Sequence, residues 1–426
     1  MNRIHDDVAA VLSDPEVHRY FLGVLSGDQS PAGKYDQFIK FFQLRDQIRE
    51  KIDCQPVTIR NGNEAQRLIS ETCRILGIWS PETIVSETED AIIRAVRRLN
   101  CSQHRDGGWG FKPEISDFWA TAYALLCLNA AGNRTRLEFH VDRERMMEKG
   151  MLWVKKNPET WSAKTIHPDS GIPVYHVALA IFCFSQLADS DSVRLDGEIQ
   201  SILQAQNRDG GWDAHIWGEE LQASRRVYSE AGATSFAVQA LNQYDQGSFA
   251  PHIKRALNWL IHTQNTEFEN GSWNDGSCQP HGEEFKLSGS PSINKTCDAI
   301  QGLMIGNLLF PTAKEEARER IDSAVEWLRN QEKPLFEDRG IMGWGWDFSP
   351  FKFDNTCLTL ETLVRMPEAP LPLLTSNARW LIRNQYKETG NVEDGNWRSG
   401  HTARIALSLI HFYQTIQKSV LFKERS

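Results

Sequence analysis

Five times along the chain an amphipathic stretch ends in glutamine, passes through a polar turn containing glycine and arrives at tryptophan. The blocks are "RRLNCSQHRDGGWGF", "SILQAQNRDGGWDA", "WLIHTQNTEFENGSW", "EWLRNQEKPLFEDRGIMGWGW" and "WLIRNQYKETGNVEDGNW". In them Gln103, Gln206, Gln264, Gln331 and Gln385 lead to Trp109, Trp212, Trp273, Trp344 and Trp397. A second, more apolar segment follows each block, with Thr answered seven residues later by Leu: Thr121 and Leu128, Thr234 and Leu241, Thr296 and Leu303, Thr356 and Leu363, Thr402 and Leu409. Seven residues are two helical turns, so each pair lies on one helix face. A sixth unit, second in order, is degenerate: "MLWVKKNPETWSAKTIHPDSGIPVYHVALAIFCFSQL" keeps the helix, turn, helix layout with His176 and Cys183 in the Thr and Leu positions.

Helical periods, Gly and Pro turns and almost no β-type alternation make the expected class all-α. One helix of each pair is charged along one side and belongs outside; its companion is apolar nearly all round and belongs inside. A unit of roughly 50 to 65 residues cannot bury its own apolar face, so the units must stack. Six pairs from about residue 88 to 418 would close into an α/α ring, an α6-α6 barrel. Residues 1–87 carry no such motif and read as a helical N-terminal extension of three helices; residues 419–426 form a short tail.

The 426 residues, 40% hydrophobic, suffice for a large core. A net charge of -9 argues against a nucleic-acid partner, which calls for a basic face. No apolar run approaches the ~18 residues of a membrane span, and the acidic N-terminus lacks the regions of a signal peptide, so a cytoplasmic protein is expected. The eight cysteines are scattered without C-x-x-C spacing, which speaks against structural zinc and disulfides.

Six helical hairpins joined by Gln-to-Trp motifs resemble the α/α toroid shared by squalene-hopene cyclases, class II terpene cyclases and the β subunits of protein prenyltransferases. On the residues alone, the Gln amide is expected to bond backbone groups freed at a helix end, and the Trp to fill the gap between hairpins. The resemblance implies that all inner helices run the same way, with their N-termini around one mouth of a central cavity. Asp117, Trp119, Tyr175, His176, Glu230, Asn294, Lys295, Asp354, Asn355, Arg398, His401 and Arg404 would then gather there.

The stretch "KFDNTC" is closest to the cyclase branch. Squalene-hopene and class II diterpene cyclases carry D-x-D-D-T and oxidosqualene cyclases x-x-D-C-T-A, with the third position the Brønsted acid; here Asp354 falls on it, followed by Asn355 and Thr356. Both flanking carboxylates are missing, and Lys352 stands in for one. Protonating an alkene needs a carboxyl that is neutral at working pH, and a nearby ammonium favours the ionised form. His401 and Arg404 in the next repeat could support Asp354 or pair with it. A second role is equally open, since Asp-Asn-Thr before an apolar run also makes a good helix N-cap.

Around that acid, Trp344, Trp346, Phe348, Phe351 and Phe353, with Trp119, Tyr175 and His176, would line a cavity whose aromatic faces attract carbocations. Lys295, Lys352, Arg398 and Arg404 could hold a diphosphate; only such a substrate would call for Mg2+, and no other cofactor is expected. A zinc-dependent prenyltransferase would need Asp and Cys two places apart on an inner helix; the nearest look-alike, Cys297–Asp298, is adjacent and reversed.

The resulting expectation is a class II-type terpene cyclase that protonates an isoprenoid with Asp354. A non-catalytic ring binding a lipid, peptide or protein is the alternative. Known cyclases of this type usually carry two barrels or a further domain, which leaves room here for a partner subunit or a homo-oligomer.

Overall fold

The computed structural model describes residues 81–110, 115–135, 137–163, 171–187, 195–216, 228–245, 247–266, 270–276, 278–281, 284–310, 314–331, 333–334, 342–343, 352–366, 371–384 and 399–423. Residues 1–80 of the expected extension lie outside them, as do Trp344, Trp346, Phe348, Phe351, Gln385, Trp397 and Arg398. Lys352, Phe353 and Asp354 are described as helix without their side chains.

Six helices form an outer layer: α1 (Pro81–Ser102), α3 (Arg143–Lys156), α5 (Asp196–Gln204), α7 (Ala250–Thr263), α9 (Lys314–Gln331) and α11 (Leu371–Asn384). Each is followed by an inner helix: α2 (Phe118–Arg134), α4 (Val174–Gln186), α6 (Ala231–Asp245), α8 (Ile293–Leu309), α10 (Lys352–Leu363) and α12 (Ser399–Lys423). The inner helices touch in the order α2, α4, α6, α8, α10, α12 and back to α2, so the ring is closed. Its first outer helix is described from Pro81 and its last inner helix to Lys423. The strands among the described residues pair only as three short antiparallel ribbons, β1 (Ile172–Pro173) with β2 (His215–Ile216), β3 (Cys278–His281) with β4 (Glu284–Leu287), and β5 (Lys333–Pro334) with β6 (Met342–Gly343).

The two layers follow from composition. In α1 the buried residues Ile84, Thr88, Ala91, Ile92, Ala95, Val96 and Leu99 recur at helical spacing along one stripe. In α2 the run from Ala120 to Leu128 is buried throughout, as an inner helix sandwiched on every side must be. Thr121, Thr234, Thr296 and Thr356 are fully buried, and the Leu seven residues after each is buried too.

The motif residues make the same bonds in each complete unit. Gln103 Nε2 donates to the Gly107 carbonyl in its own turn (2.8 Å) and to the Met146 carbonyl in α3 (2.9 Å). Gln206 does the same with Gly210 and His252 of α7, and Gln264 with Gly271 and Arg320 of α9. The acceptors in the next outer helix lie inside that helix, so the Gln is a bridge between neighbouring hairpins and does not serve freed helix ends. That task falls to the tryptophan. The indole N–H of Trp109 donates to the Leu99 carbonyl (2.9 Å), that of Trp212 to Ile202 (2.7 Å) and that of Trp273 to Leu260 (3.0 Å), all in the last turn of an outer helix where carbonyls lack helical partners. The same Trp backbone N–H groups donate to Thr121, Thr234 and Thr296 Oγ1 at 2.9, 3.0 and 3.0 Å. The repeated Thr thus holds each inner helix to the turn that precedes it.

The degenerate unit keeps this arrangement with other residues. Trp161 donates its indole N–H to the Val154 carbonyl in the last turn of α3 (2.9 Å), and His176, in the Thr position, bonds the backbone of Thr160 beside it. Two turns also carry an acidic hub. Asp209 accepts the Gly211 N–H, the Ser229 hydroxyl and the Trp259 indole N–H of α7 at 3.0, 2.8 and 3.0 Å, and Asp106 repeats the pattern with Gly108, Ser116 and Trp153 of α3. Between Gln and Trp the turn needs a positive φ, +103° at Gly210, and a Cβ there would stand 2.6 Å from the Arg255 carbonyl oxygen; only glycine meets both demands.

Because Thr234 satisfies a fully buried N–H, Thr234→Val is expected to lower the unfolding free energy by about 1–3 kcal/mol, the cost of orphaning that donor. Urea unfolding followed by circular dichroism reads the loss, and a valine variant as stable as the parent would show that the bond is dispensable.

Candidate active site

Thr121, Thr234 and Thr296 point outward to their Trp, so on α2, α6 and α8 the residues two positions before or after them, roughly 200° around the helix, are directed toward the ring interior. Two positions after Thr stand Tyr123, Phe236, Asp298, Leu358 and Arg404; two before stand Trp119, Gly232, Asn294, Asp354 and Gly400. Four positions before Thr is the cap register: the Asp117 side chain caps α2 through Ala120 N–H (2.8 Å), and Glu230 and Ser292 hold the same place before α6 and α8. In α10 that place falls to Lys352. Asp354 is the third helical residue and shares the register of Trp119, which separates it from the cap position.

On one side of the interior the first turns of α2, α4 and α6 meet in an aromatic group. Trp119 lies 4.8 Å from Tyr123, 5.6 Å and edge-on from Tyr175, and 6.5 Å from Phe236, between ring centroids. Arg404, buried on α12, places its guanidinium 5.5 Å from the Tyr123 ring and 5.9 Å from that of Trp119. These faces therefore already receive a cation from the protein itself.

A charged group adjoins it. Lys295 Nζ is 3.3 Å from Glu230 Oε2. Tyr175 borders this pair, and its phenol is pushed above its ordinary range by burial first, with Lys295 acting downward and Glu230 upward. One turn on from Lys295, Asp298 is only 8% exposed, and burial raises its carboxyl to about 6; Lys295 and Arg404 pull the other way, and Glu361 adds to the rise. Glu361 is buried on α10 and accepts the Ser408 hydroxyl of α12 at 2.8 Å. A Cβ on Gly232 would stand 2.8 Å from Lys295 Nζ and 3.2 Å from Asp298 Oδ2, so the bare glycine of α6 makes the space these groups occupy.

The structure thus brings together Trp119, Tyr175, Lys295 and Arg404 of the residues named from sequence. His401 is half-buried in the first turn of α12. Asn355 is buried, and its Oδ1 has no hydrogen-bond partner among the described residues. His176 touches Tyr175 (4.7 Å) and Phe118 (5.7 Å), but its hydrogen bond to the Thr160 backbone gives it the structural place of the missing Thr; burial lowers its imidazole to about 4. Asp298 and Glu361 were missed. Register would have found Asp298: two positions after Thr stand Tyr, Phe and Leu in α2, α6 and α10, and charged residues only in α8, Asp298, and α12, Arg404.

Cys297 Sγ lies 3.5 Å from Thr359 Oγ1, and burial pushes its thiol up to about 12, which opposes the thiolate that a zinc ligand must be. Among the described residues no cluster of three or more His, Cys, Asp or Glu could hold a metal ion, and no helix is long and apolar enough to cross a membrane.

Residues 69–275 match the family model of the prenyltransferase alpha-alpha toroid domain. No curated protein sequence matches the chain. Among solved structures, an inactive variant of the α-1,6-mannanase of Salegentibacter sp. HEL1_6 in complex with α-1,6-mannotetrose aligns over 79% of this chain and all of its own, at 11% identity and a TM-score of 0.52. The β-1,3-1,4-glucanase of Paenibacillus sp. X4 aligns over 78% of this chain and 93% of its own (10% identity, TM-score 0.51). The ent-copalyl diphosphate synthase of Streptomyces platensis aligns over 70% of this chain and 50% of its own (16% identity, TM-score 0.44). At these identities the likeness is one of fold, and a shared fold does not carry a shared chemistry. The closed ring and its Gln-to-Trp bonds make the fold an α/α toroid, the architecture that the matched domain model describes over just under half of the chain.

Proposed function

We propose that the ring is a class II-type terpene cyclase, in which an isoprenoid folds in the interior and a carboxylic acid starts cyclisation by protonating an alkene or epoxide. The observation that carries this reading is a buried carboxyl, raised to about 6, on the same inner surface as Trp119, Tyr123, Tyr175 and Phe236. Such an acid retains a share of its proton near neutral pH, which an exposed aspartate does not. The aromatic group offers faces to a developing cation. Arg404 on two of those faces and Lys295 beside Glu230 bring cationic groups that would suit a substrate bearing a diphosphate, the one case in which Mg2+ would take part.

Two inner-ring carboxyls compete for the acid's role: Asp354 by its register with D-x-D-D-T, and Asp298 by its surroundings. His401, Asn355 and Arg404 supply polar support on neighbouring helices. The test incubates purified protein with squalene, oxidosqualene and prenyl diphosphates of several lengths and analyses the extract by mass spectrometry. A cyclised product that disappears in the double variant Asp298→Asn/Asp354→Asn is the expected result. Turnover of no isoprenoid, or hydrolysis of an α-mannan in its place, would defeat the reading; binding without turnover would favour a non-catalytic ring.

A further inference from the structure

We infer that His176, on inner helix α4, is a positioning residue whose imidazole fixes Tyr175 against Trp119; what this does for turnover rests on the cyclase reading above. In α2, α6 and α8 a threonine hydroxyl is enough to tie the inner helix to the turn before it. His176 makes the corresponding tie through the Thr160 backbone, a task within the reach of a threonine. What the imidazole adds is a ring.

That ring stands edge-on to Tyr175, with 4.7 Å between centroids and 84° between planes, and to Phe118 at 5.7 Å and 66°. Aromatic pairs favour this arrangement. Phe118 lies 6.3 Å from Trp161, and Trp161 5.2 Å from Phe184, all three buried. On its other side Tyr175 is edge-on to Trp119 at 5.6 Å and 86°. An unbroken series of ring contacts thus runs from Phe184 and Trp161 through Phe118 and His176 to Tyr175 and Trp119. His176 is a middle member of it, anchored by the Thr160 bond.

Tyr175 depends on such support. It is half-buried, and among the described residues no hydrogen bond fixes its phenol, so its orientation is set by the two rings it meets there, Trp119 and His176. In the other five units the residue just before the repeated Thr is Ala120, Ala233, Lys295, Asn355 or His401. The one unit that departs from Thr is therefore the one that carries a tyrosine at its side. Burial keeps His176 neutral at neutral pH, so it presents no charge to the phenol. A Tyr175 free to turn from Trp119 would leave the faces that meet a developing cation without fixed geometry, and a bound chain could fold in more than one way.

The experiment uses His176→Thr, which offers the turn a hydroxyl and removes the ring, and His176→Phe, which keeps a ring and loses the bond. The pH at which Tyr175 ionises is followed by NMR of protein labelled in its tyrosine rings, with Tyr175→Phe for assignment, and circular dichroism checks the fold of each variant. Burial holds the phenol above its ordinary range in wild type. In His176→Thr its titration should fall back toward that range, and in His176→Phe return most of the way to wild type. Phe118→Leu, which leaves the Thr160 bond alone, should move it in the same direction as His176→Thr. Turnover should follow: His176→Thr is expected to lose about 10-fold in kcat with little change in KM and a broader set of cyclised products, as a misplaced but folded site does, and His176→Phe to recover most of the loss. A Tyr175 titration unchanged in both His176→Thr and Phe118→Leu would overturn the assignment, as would a larger shift in His176→Phe than in His176→Thr. Wild type that turns over no isoprenoid would remove the cyclase reading alone; the positioning of Tyr175 then stands or falls on the titration.

Discussion

Trp212→Ala is expected to lower the unfolding free energy by about 3–5 kcal/mol, the usual cost of emptying a buried tryptophan site. The indole is fully buried between the turn and the outer layer, and its N–H meets the Ile202 carbonyl at 2.7 Å in the last turn of α5. That helix is the shortest of the outer layer, from Asp196 to Gln204, and no side chain caps its N-terminus. Trp212→Phe separates the two contributions: the ring still fills most of the volume, and the loss should shrink to about 1–3 kcal/mol for the orphaned carbonyl. Urea unfolding of the three proteins at one pH gives the comparison. A loss below about 1 kcal/mol for the alanine variant, typical of a surface substitution, would show that the motif tryptophan does not bind the hairpins together.

Asp298→Asn is expected to stabilise the protein at neutral pH by about 3 kcal/mol. Burial raises the Asp298 carboxyl from 3.8 to about 6, and every tenfold gain in proton affinity on folding corresponds to about 1.4 kcal/mol of preference for the protonated form. Below pH 3.8 the folded and unfolded chains are both protonated at this site, and burial of a charge exacts nothing. As pH rises from 3.8 to 6 the unfolded chain releases its proton while the folded one keeps it, so stability declines; above 6 the full penalty stands. An amide never incurs it. The advantage of the variant should therefore grow between about pH 4 and 6 and then level off. His176, lowered to about 4 by burial, works in the opposite sense, since its neutral form is favoured in the fold and stability falls on acidification from 6.5 toward 4. That contribution is common to both proteins and cancels in their difference. A variant that gained stability while losing turnover would be trading one for the other, as acids kept in hostile surroundings do; equal stability at every pH would mean that Asp298 is not held against its preference for water.

The ring could be read from sequence because its recurring residues make recurring bonds. Gln103, Gln206 and Gln264 each bridge to the next outer helix, and Thr121, Thr234 and Thr296 each accept from a motif Trp, so selection on one geometry left one spacing. The same logic explains what went unseen. Trp161 caps α3 as the other tryptophans cap their helices, but it follows "NPET" and not a glycine turn, so nothing marked it as a motif residue. Asp298 belongs to no repeat. Its significance comes from what faces it, Gly232 on α6, Glu361 on α10 and Arg404 on α12, and partners on separate helices leave no local pattern. Asp354 was singled out by a family motif; its helical register is now fixed, two residues inside α10.

The seam at which the ring closes has a consequence for how the chain acquires its structure. There α12 packs on both α1 and α2, Tyr413 donates its hydroxyl proton to Glu89 at 2.6 Å, and Arg379 of α11 meets Glu87 at 3.3 Å. These contacts span 324 and 292 residues of sequence. The other described hairpins meet neighbours close to them in sequence, whereas the contacts of α1 with α11 and α12 can form only when nearly the whole ring has been translated. Contacts of such separation form late, because chain closure must be met before they reward it. An open stack of the first five hairpins would have a sticky face at each end, so nascent chains of this protein should depend on chaperones during that interval, and premature termination before α12 should yield aggregates in preference to a smaller ring.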